Sequence, residues 1–101
     1  MLDWDRIAGF DWDAGNLDKS ATKHGVDWAE AEQIFFNSPL LFVDDETHGQ
    51  HERRIRALGR SDTGRLLFAV FTLRAEASLI RIISVRDMNT KEKRVYEQEK
   101  A

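Results

Sequence analysis

Apolar positions gather in two runs of strand length, residues 65–74 and 79–86, both rich in β-branched or aromatic side chains. The link between them, Arg74-Ala75-Glu76-Ala77-Ser78, is too short for a crossover. The two runs therefore predict an antiparallel pair, and the rest of the fold organises around it. In the first run Leu66, Phe68, Val70 and Thr72 share one face, and Leu67, Ala69, Phe71 and Leu73 share the other. Both faces are apolar, which predicts a central strand covered on both sides. Strict alternation in the second run puts Arg81, Ile83 and Val85 on one face and Ile80, Ile82, Ser84 and Arg86 on the other. Residues 53–60 read as a third strand, with Arg54, Arg56, Leu58 and Arg60 on one face and Arg53, Ile55, Ala57 and Gly59 opposite. Ser61-Asp62-Thr63-Gly64 turns it into the central run. The expectation is an antiparallel meander of at least three strands, with residues 40–43 as a fourth ahead of a polar loop over 44–50.

Nearer the N-terminus the period changes. Residues 8–13 alternate as a short strand with Phe10 and Trp12 on one face. After the turn Ala14-Gly15-Asn16 a short helix is expected over 17–23, closed by Gly25 as a C-cap glycine, with Lys23 and His24 near its end. Asp27 reads as the N-cap of a second helix over 28–36, with Glu30 in capping-box position and Val26 and Ala31 as a staple. Ala31, Ile34 and Phe35 form its core stripe, and Asn37-Ser38-Pro39 ends it. Beyond Arg86, a loop with Thr90 as cap leads to a final helix over 91–99. Its weak apolar stripe, anchored by Val95 beside Tyr96 or Met88, predicts loose docking or completion by a partner. The pattern is α+β in a single domain over residues 1–101.

The absence of cysteine excludes disulfides, thiolate chemistry and Cys-based zinc sites. No apolar run is long enough for a bilayer span, and the N-terminus lacks the basic and apolar regions of a signal peptide, so the expected location is the cytoplasm. Charge changes the picture more. The net charge of −3 hides twelve acidic against three basic residues over 1–52, a balance of −9, and eight arginines against Asp62 and Glu76 over 53–86, a balance of +6. Those arginines suit a phosphate footprint; they equally suit a solvated sheet face paired with the acidic half. Arg81, inside an apolar strand, belongs beside a cleft or against an acidic side chain from the first half. The acidic and histidine residues over 44–51 lack the alternation of an EF-hand loop and read as a solvated loop.

There is no HExxH, paired Cys/His set, Walker loop or dinucleotide fingerprint. The inventory suits phosphate recognition by arginine, with His24 either as an acid or base or as a helix cap. RNA cleavage fits it: a 2′-hydroxyl is positioned for attack while arginines stabilise charge growing on the phosphoryl oxygens. Trp12 and Trp28 either stack on a base or fill the core.

An ordered set of segments runs through the chain: Phe10-Asp11-Trp12-Asp13, Asn16, Lys23-His24-Gly25-Val26, Ala29-Glu30-Ala31, Glu52-Arg53-Arg54, Gly59-Arg60-Ser61, Gly64-Arg65, Phe71-Thr72-Leu73-Arg74 and Ile82-Ile83-Ser84-Val85-Arg86. In these the sequence resembles the BrnT toxins, ribonuclease components of bacterial type II toxin–antitoxin pairs. The resemblance implies a RelE-like α+β fold, with an antiparallel sheet of about four strands, N-terminal helices and a C-terminal helix. It implies an RNA endonuclease needing neither metal nor cofactor, and a cognate BrnA-like ribbon-helix-helix antitoxin as partner. DNA is then bound only indirectly, through the antitoxin, and no membrane is involved. Carried over by motif are Lys23, His24, Thr72, Arg74 and Arg86, to which the charge pattern adds Arg54 and Arg81. The expected catalytic groups are His24, Arg74 and Arg86; Lys23, Arg54, Thr72 and Arg81 are expected to bind substrate. Ser20, Asn16 and Val85 depart from the family's commoner asparagine, lysine and alanine. The alternative is a noncatalytic RelE-like module whose arginines bind protein or RNA.

Overall fold

The computed structural model describes residues 5–11, 25–47, 53–76 and 78–100, with backbone alone at 44–47, 53 and 100. Among these, the apolar runs form β1 (Gly9–Phe10), β2 (Leu41–Thr47), β3 (Arg53–Arg60), β4 (Leu66–Arg74) and β5 (Leu79–Asp87). Two helices accompany them, α1 (Trp28–Gln33) and α2 (Thr90–Lys100). The strands lie in the order β1-β5-β4-β3-β2, which makes β4 the centre of the sheet, as its two apolar faces predict. The short strand expected over 8–13 is found as β1, and it joins the sheet in parallel: Gly9 lies beside Leu79 and Phe10 beside Ile80. Most of the chain separates these partners, which supplies the long connection a parallel pair requires. At the opposite edge β2 continues through positions 44–47, expected as loop. Pairing of Asp45, Glu46 and Thr47 with Ile55, Arg54 and Arg53 satisfies that backbone despite its polar composition. No helix among the described residues is long and apolar enough to cross a membrane.

One face of the sheet is dry. Val26, Ala31, Ile34 and Phe35 pack on Ala57, Leu67, Ala69, Phe71, Ile80, Ile82 and Val85. Phe35 meets Phe71 and Phe10 edge-on, with ring centroids 5.1 and 5.6 Å apart. The approach of α1 depends on small residues beneath it: Ala57 pairs with Ala69, and a Cβ on Gly59 would lie 2.9 Å from the Ile34 Cβ. Asp27 caps α1 as expected, accepting from the Ala29 N–H at 3.4 Å. Glu30 does not complete a capping box; its carboxylate turns instead to Ser61, Thr63 and Arg65. The helix closes at Gln33 rather than Phe36, where bonds from Phe35 and Phe36 N–H to Glu32 and Gln33 carbonyls tighten the chain before Pro39. Trp28, at the first position of α1, is 45% exposed and therefore no core residue.

Strict alternation fails in β5. Val70 pairs with Ser84 but Phe71 pairs with Ile82, so β5 carries one residue more than β4 across this step. This bulge reverses the parity of everything after it. Val85 therefore joins Ile80 and Ile82 in the core, and Arg86 moves to the face of Arg81.

The other face of the sheet is closed at one end by α2. Leu58, Met88 and Tyr96 form a second cluster with Leu41, Leu66 and Phe68. The anchor is Tyr96, fully buried, whose hydroxyl donates to the Pro39 carbonyl at 2.7 Å; Val95 is 42% exposed. The cap is Asn89 rather than Thr90. Its side-chain oxygen accepts from the Glu92 N–H at 2.8 Å, and the Glu92 carboxylate accepts from the Asn89 N–H at 2.9 Å. The same carboxylate takes both terminal nitrogens of Arg86, at 2.9 and 3.0 Å. α2 is thus tied at both ends of its first two turns, not loosely docked.

Two measurements check this packing. Gly59→Ala should lower the stability by about 1–3 kcal/mol, seen as a lower urea midpoint at unchanged slope, because Ile34 has no room to yield. Hydrogen bonding from Arg86 holds the Glu92 carboxyl below its ordinary 4.5, against the opposing effect of burial. The unfolded chain therefore takes up that proton more readily, so the stabilisation is complete above pH 4.5 and lost as pH falls through the lower folded value. Glu92→Gln should be less stable than the parent at neutral pH, with the difference shrinking on acidification, in urea titrations across a pH series.

Candidate functional site

Alternation from the paired residues builds the arginine face rung by rung. Phe10 points into the core, so Asp11, the next residue, falls on the opposite face beside Arg81. Arg81 pairs with Thr72. Arg54 precedes Ile55, the partner of Phe71, and so stands on the far side of Thr72. Arg74, two residues beyond Thr72, pairs with Leu79, and Arg56 pairs with Val70. The Arg81 and Arg54 backbones are two strand spacings apart, roughly 10 Å. At the α2 end the next rung is Arg86, Phe68, Leu58 and Leu41. Arg54 is exposed; Arg56, Arg74, Arg81 and Arg86 are half-buried.

The sequence-predicted residues divide by position. Arg54, Arg74, Arg81 and Arg86 share this face. Thr72 shares it too but is only 2% exposed, so it lies beneath the arginines rather than among them. Arg81 meets an acidic side chain from the first half of the chain, as its sequence context predicts: its Nη1 lies 3.6 Å from the Asp11 Oδ2. Arg86 is held most tightly. Besides the fork to Glu92, its Nη1 donates to the Asp87 carbonyl at 3.0 Å, and its Cζ lies 4.2 Å from the Phe68 ring centroid. Lys23, His24 and Trp12 lie outside the described residues, as does the helix expected over 17–23. The glycine after His24 has φ +66, which suits the C-cap position expected of it.

One arginine that sequence reasoning passed over has a different task. Arg65 lies on the α1 side of the sheet, where its Nε and Nη2 donate to the two Asp87 oxygens at 2.7 and 2.9 Å. Its Nη1 reaches the Gly25 carbonyl at 3.1 Å and Glu30 at 3.2 Å. Ser61, fully buried, completes the network by donating to Glu30 and accepting from the Arg65 N–H. The hydrogen bond to Asp87 raises the Arg65 pKa further, so its charge is permanent. This fork ties α1, β4, the end of β5 and the residue after His24 into one frame. The signal in the sequence was the set Glu30, Ser61 and Gly64-Arg65, present without any pattern to say which partners meet.

Chemically, a row of arginines on a rigid sheet presents paired N–H donors and fixed charge to phosphodiester oxygens. At the α2 end of this face, the helix covers the rungs of Phe68 and Leu58.

The comparisons bear on the family and the fold. Residues 12–92 match the family model described as the ribonuclease toxin, BrnT, of type II toxin–antitoxin systems. No curated protein matches the chain. Among solved structures, the fold is similar to the crystal structure of the Brucella abortus ribonuclease toxin BrnT, with a TM-score of 0.62 at 17% identity, covering 83% of this chain and all of that one. With the α+β sheet and its flanking helices, the family match over most of the sequence settles the matter of kinship: this chain belongs to the BrnT ribonuclease toxins of type II toxin–antitoxin systems.

Proposed function

We propose that the chain is an RNA endonuclease that works without a metal ion and is held inactive by a cognate BrnA-like ribbon-helix-helix antitoxin. The observation that carries this reading is the gathering of Arg54, Arg56, Arg74, Arg81 and Arg86 on one sheet face. Arg54 and Arg81 flank the scissile phosphate and orient it, with Thr72 supporting them from below. Arg74 stabilises the charge that grows on the phosphoryl oxygens as the 2′-hydroxyl attacks. Arg86 adds its charge from the position fixed by Glu92 and so acts at longer range. Lys23 positions substrate, and His24 protonates the leaving 5′-oxygen. Contacts with DNA belong to the antitoxin, and the basic face of this chain is kept for RNA.

Purified free chain should cleave RNA, should do so equally well with chelator, and should stop when the antitoxin is added. Arg74→Ala and Arg81→Ala should each lower the cleavage rate by about 10²–10³-fold, the usual effect of removing one donor to developing charge. Arg86→Ala should cost less in rate and more in stability. Each arginine lost from a phosphate contact should also reduce the slope of log affinity against log salt by about 0.7 for single-stranded RNA. RNA binding without any cleavage would count for the noncatalytic module instead.

A further inference from the structure

Besides Glu92, the arginine face meets the carboxylate of Asp11, which is held very differently. Both Glu92 oxygens are taken by Arg86 and one also by the Asn89 N–H, which fixes it as a structural group. Asp11 makes a single long contact, 3.6 Å to Arg81, with its side chain 35% exposed. Its backbone is nonetheless fixed, because the Asp11 N–H donates to the Ile80 carbonyl at 2.8 Å immediately beyond the parallel pair Phe10–Ile80. The result is an accessible acceptor, rigidly mounted, at one edge of a phosphate-binding surface.

A carboxylate in that place opposes phosphate binding. It subtracts charge from Arg81, the arginine proposed to orient the scissile group, so affinity alone gives no reason for it. Proton transfer does. Ribonucleolytic attack needs an acceptor for the 2′-hydroxyl proton within hydrogen-bond reach of the phosphate, beside a cation that holds that phosphate. Asp11 and Arg81 are such a pair.

We infer that Asp11 is the general base of the proposed ribonuclease reaction, accepting the 2′-hydroxyl proton while Arg81 holds the adjacent phosphate. The inference rests on the RNA-cleavage reading above. In the step, the O–H bond of the 2′-hydroxyl breaks and its proton passes to Asp11. The 2′-oxygen forms a bond to phosphorus, and the bond from phosphorus to the 5′-oxygen breaks. The departing oxygen takes a proton from the general acid, leaving a 2′,3′-cyclic phosphate and a 5′-hydroxyl; Asp11 then gives its proton to solvent and the acid regains one from it. No metal, oxidant or second substrate is required.

The test separates binding from chemistry. Cleavage is followed on an end-labelled single-stranded RNA of mixed sequence, and affinity on the same oligonucleotide with 2′-O-methyl sugars, which cannot react. Asp11→Asn keeps the shape of the side chain and removes its charge. It should cut the rate by about 10²–10⁴-fold, while the methylated RNA binds as tightly as to the parent, or more tightly because a negative charge has left the face. The same split in Asp11→Ser confirms the assignment if the asparagine variant folds poorly, as judged by its thermal melt. A rate within about threefold of the parent in a folded variant overturns the inference and leaves the ribonuclease reading standing. A parallel loss of affinity and rate overturns it as well, reducing Asp11 to a support for Arg81. Failure of the unmodified chain to cleave any RNA overturns the ribonuclease reading itself.

Discussion

One extra residue in β5 governs both faces of the sheet. Arg81 and Arg86 are five positions apart, and in a regular strand an odd separation sends two side chains to opposite sides. Regular alternation with Ile80 and Ile82 inward would therefore bury Arg86 in the α1 core and expose Val85 in its place. A lone guanidinium in that dry layer would cost several kcal/mol after relaxation. The bulge opposite Val70 and Phe71 removes the conflict, returning Val85 to Ile80 and Ile82 and bringing Arg86 round beside Arg81. Loss of one ladder rung is a small cost beside that. The dry face and the basic face exist together because the strand changes parity once.

The two faces use arginine in opposite ways. On the α1 side, Arg65 is spent on structure: its fork closes on Asp87, Glu30 and the Gly25 carbonyl, and Ser61 fills the remaining acceptor sites. On the opposite side the arginines project from the strands. The charge polarity of the sequence resolves along the same division. The acidic first half does supply partners, Glu30 for Arg65 and Asp11 for Arg81, while the arginines as a group still form a surface. Structural pairing and an arginine-rich surface are both present, and which one a given arginine joins depends on its strand and parity.

Residues with unambiguous local chemistry were legible from the sequence. The parity of Arg54 and Arg56 against Ile55 and Ala57, the Asp27 cap, the Ser61-to-Gly64 turn and the central position of β4 all follow from short-range rules, and all are found. What escaped depends on partners distant in the chain. The bulge is invisible because Ile82-Ile83-Ser84 has no glycine or other mark to say which residue is extra. β2 exceeds its apolar run because the backbone of β3, not its own side chains, decides where the ladder stops. Asn89 displaces Thr90 as cap because Glu92, three residues on, can bond back to Asn89, whereas Lys93 offers Thr90 no such return. For the candidate site, motif resemblance and charge singled out arginines that share one face but ranked Arg86 with the others, and its capture by Glu92 appears only when α2 is seated.

Seating α2 also couples the stability of the fold to the state of the arginine face. Like charges gathered on one side of a sheet repel, and Asp11 at one edge and Glu92 at the other each relieve one arginine. They do so differently: Glu92 is locked into a helix cap and relieves Arg86 permanently, whereas Asp11 touches Arg81 at a distance that a bound phosphate can replace. An anion that binds the folded face and not the unfolded chain must therefore stabilise the fold by mass action. The bulge, the cap and the Arg65 frame hold the strands that carry the arginines, so the layout of that surface is fixed by the fold itself.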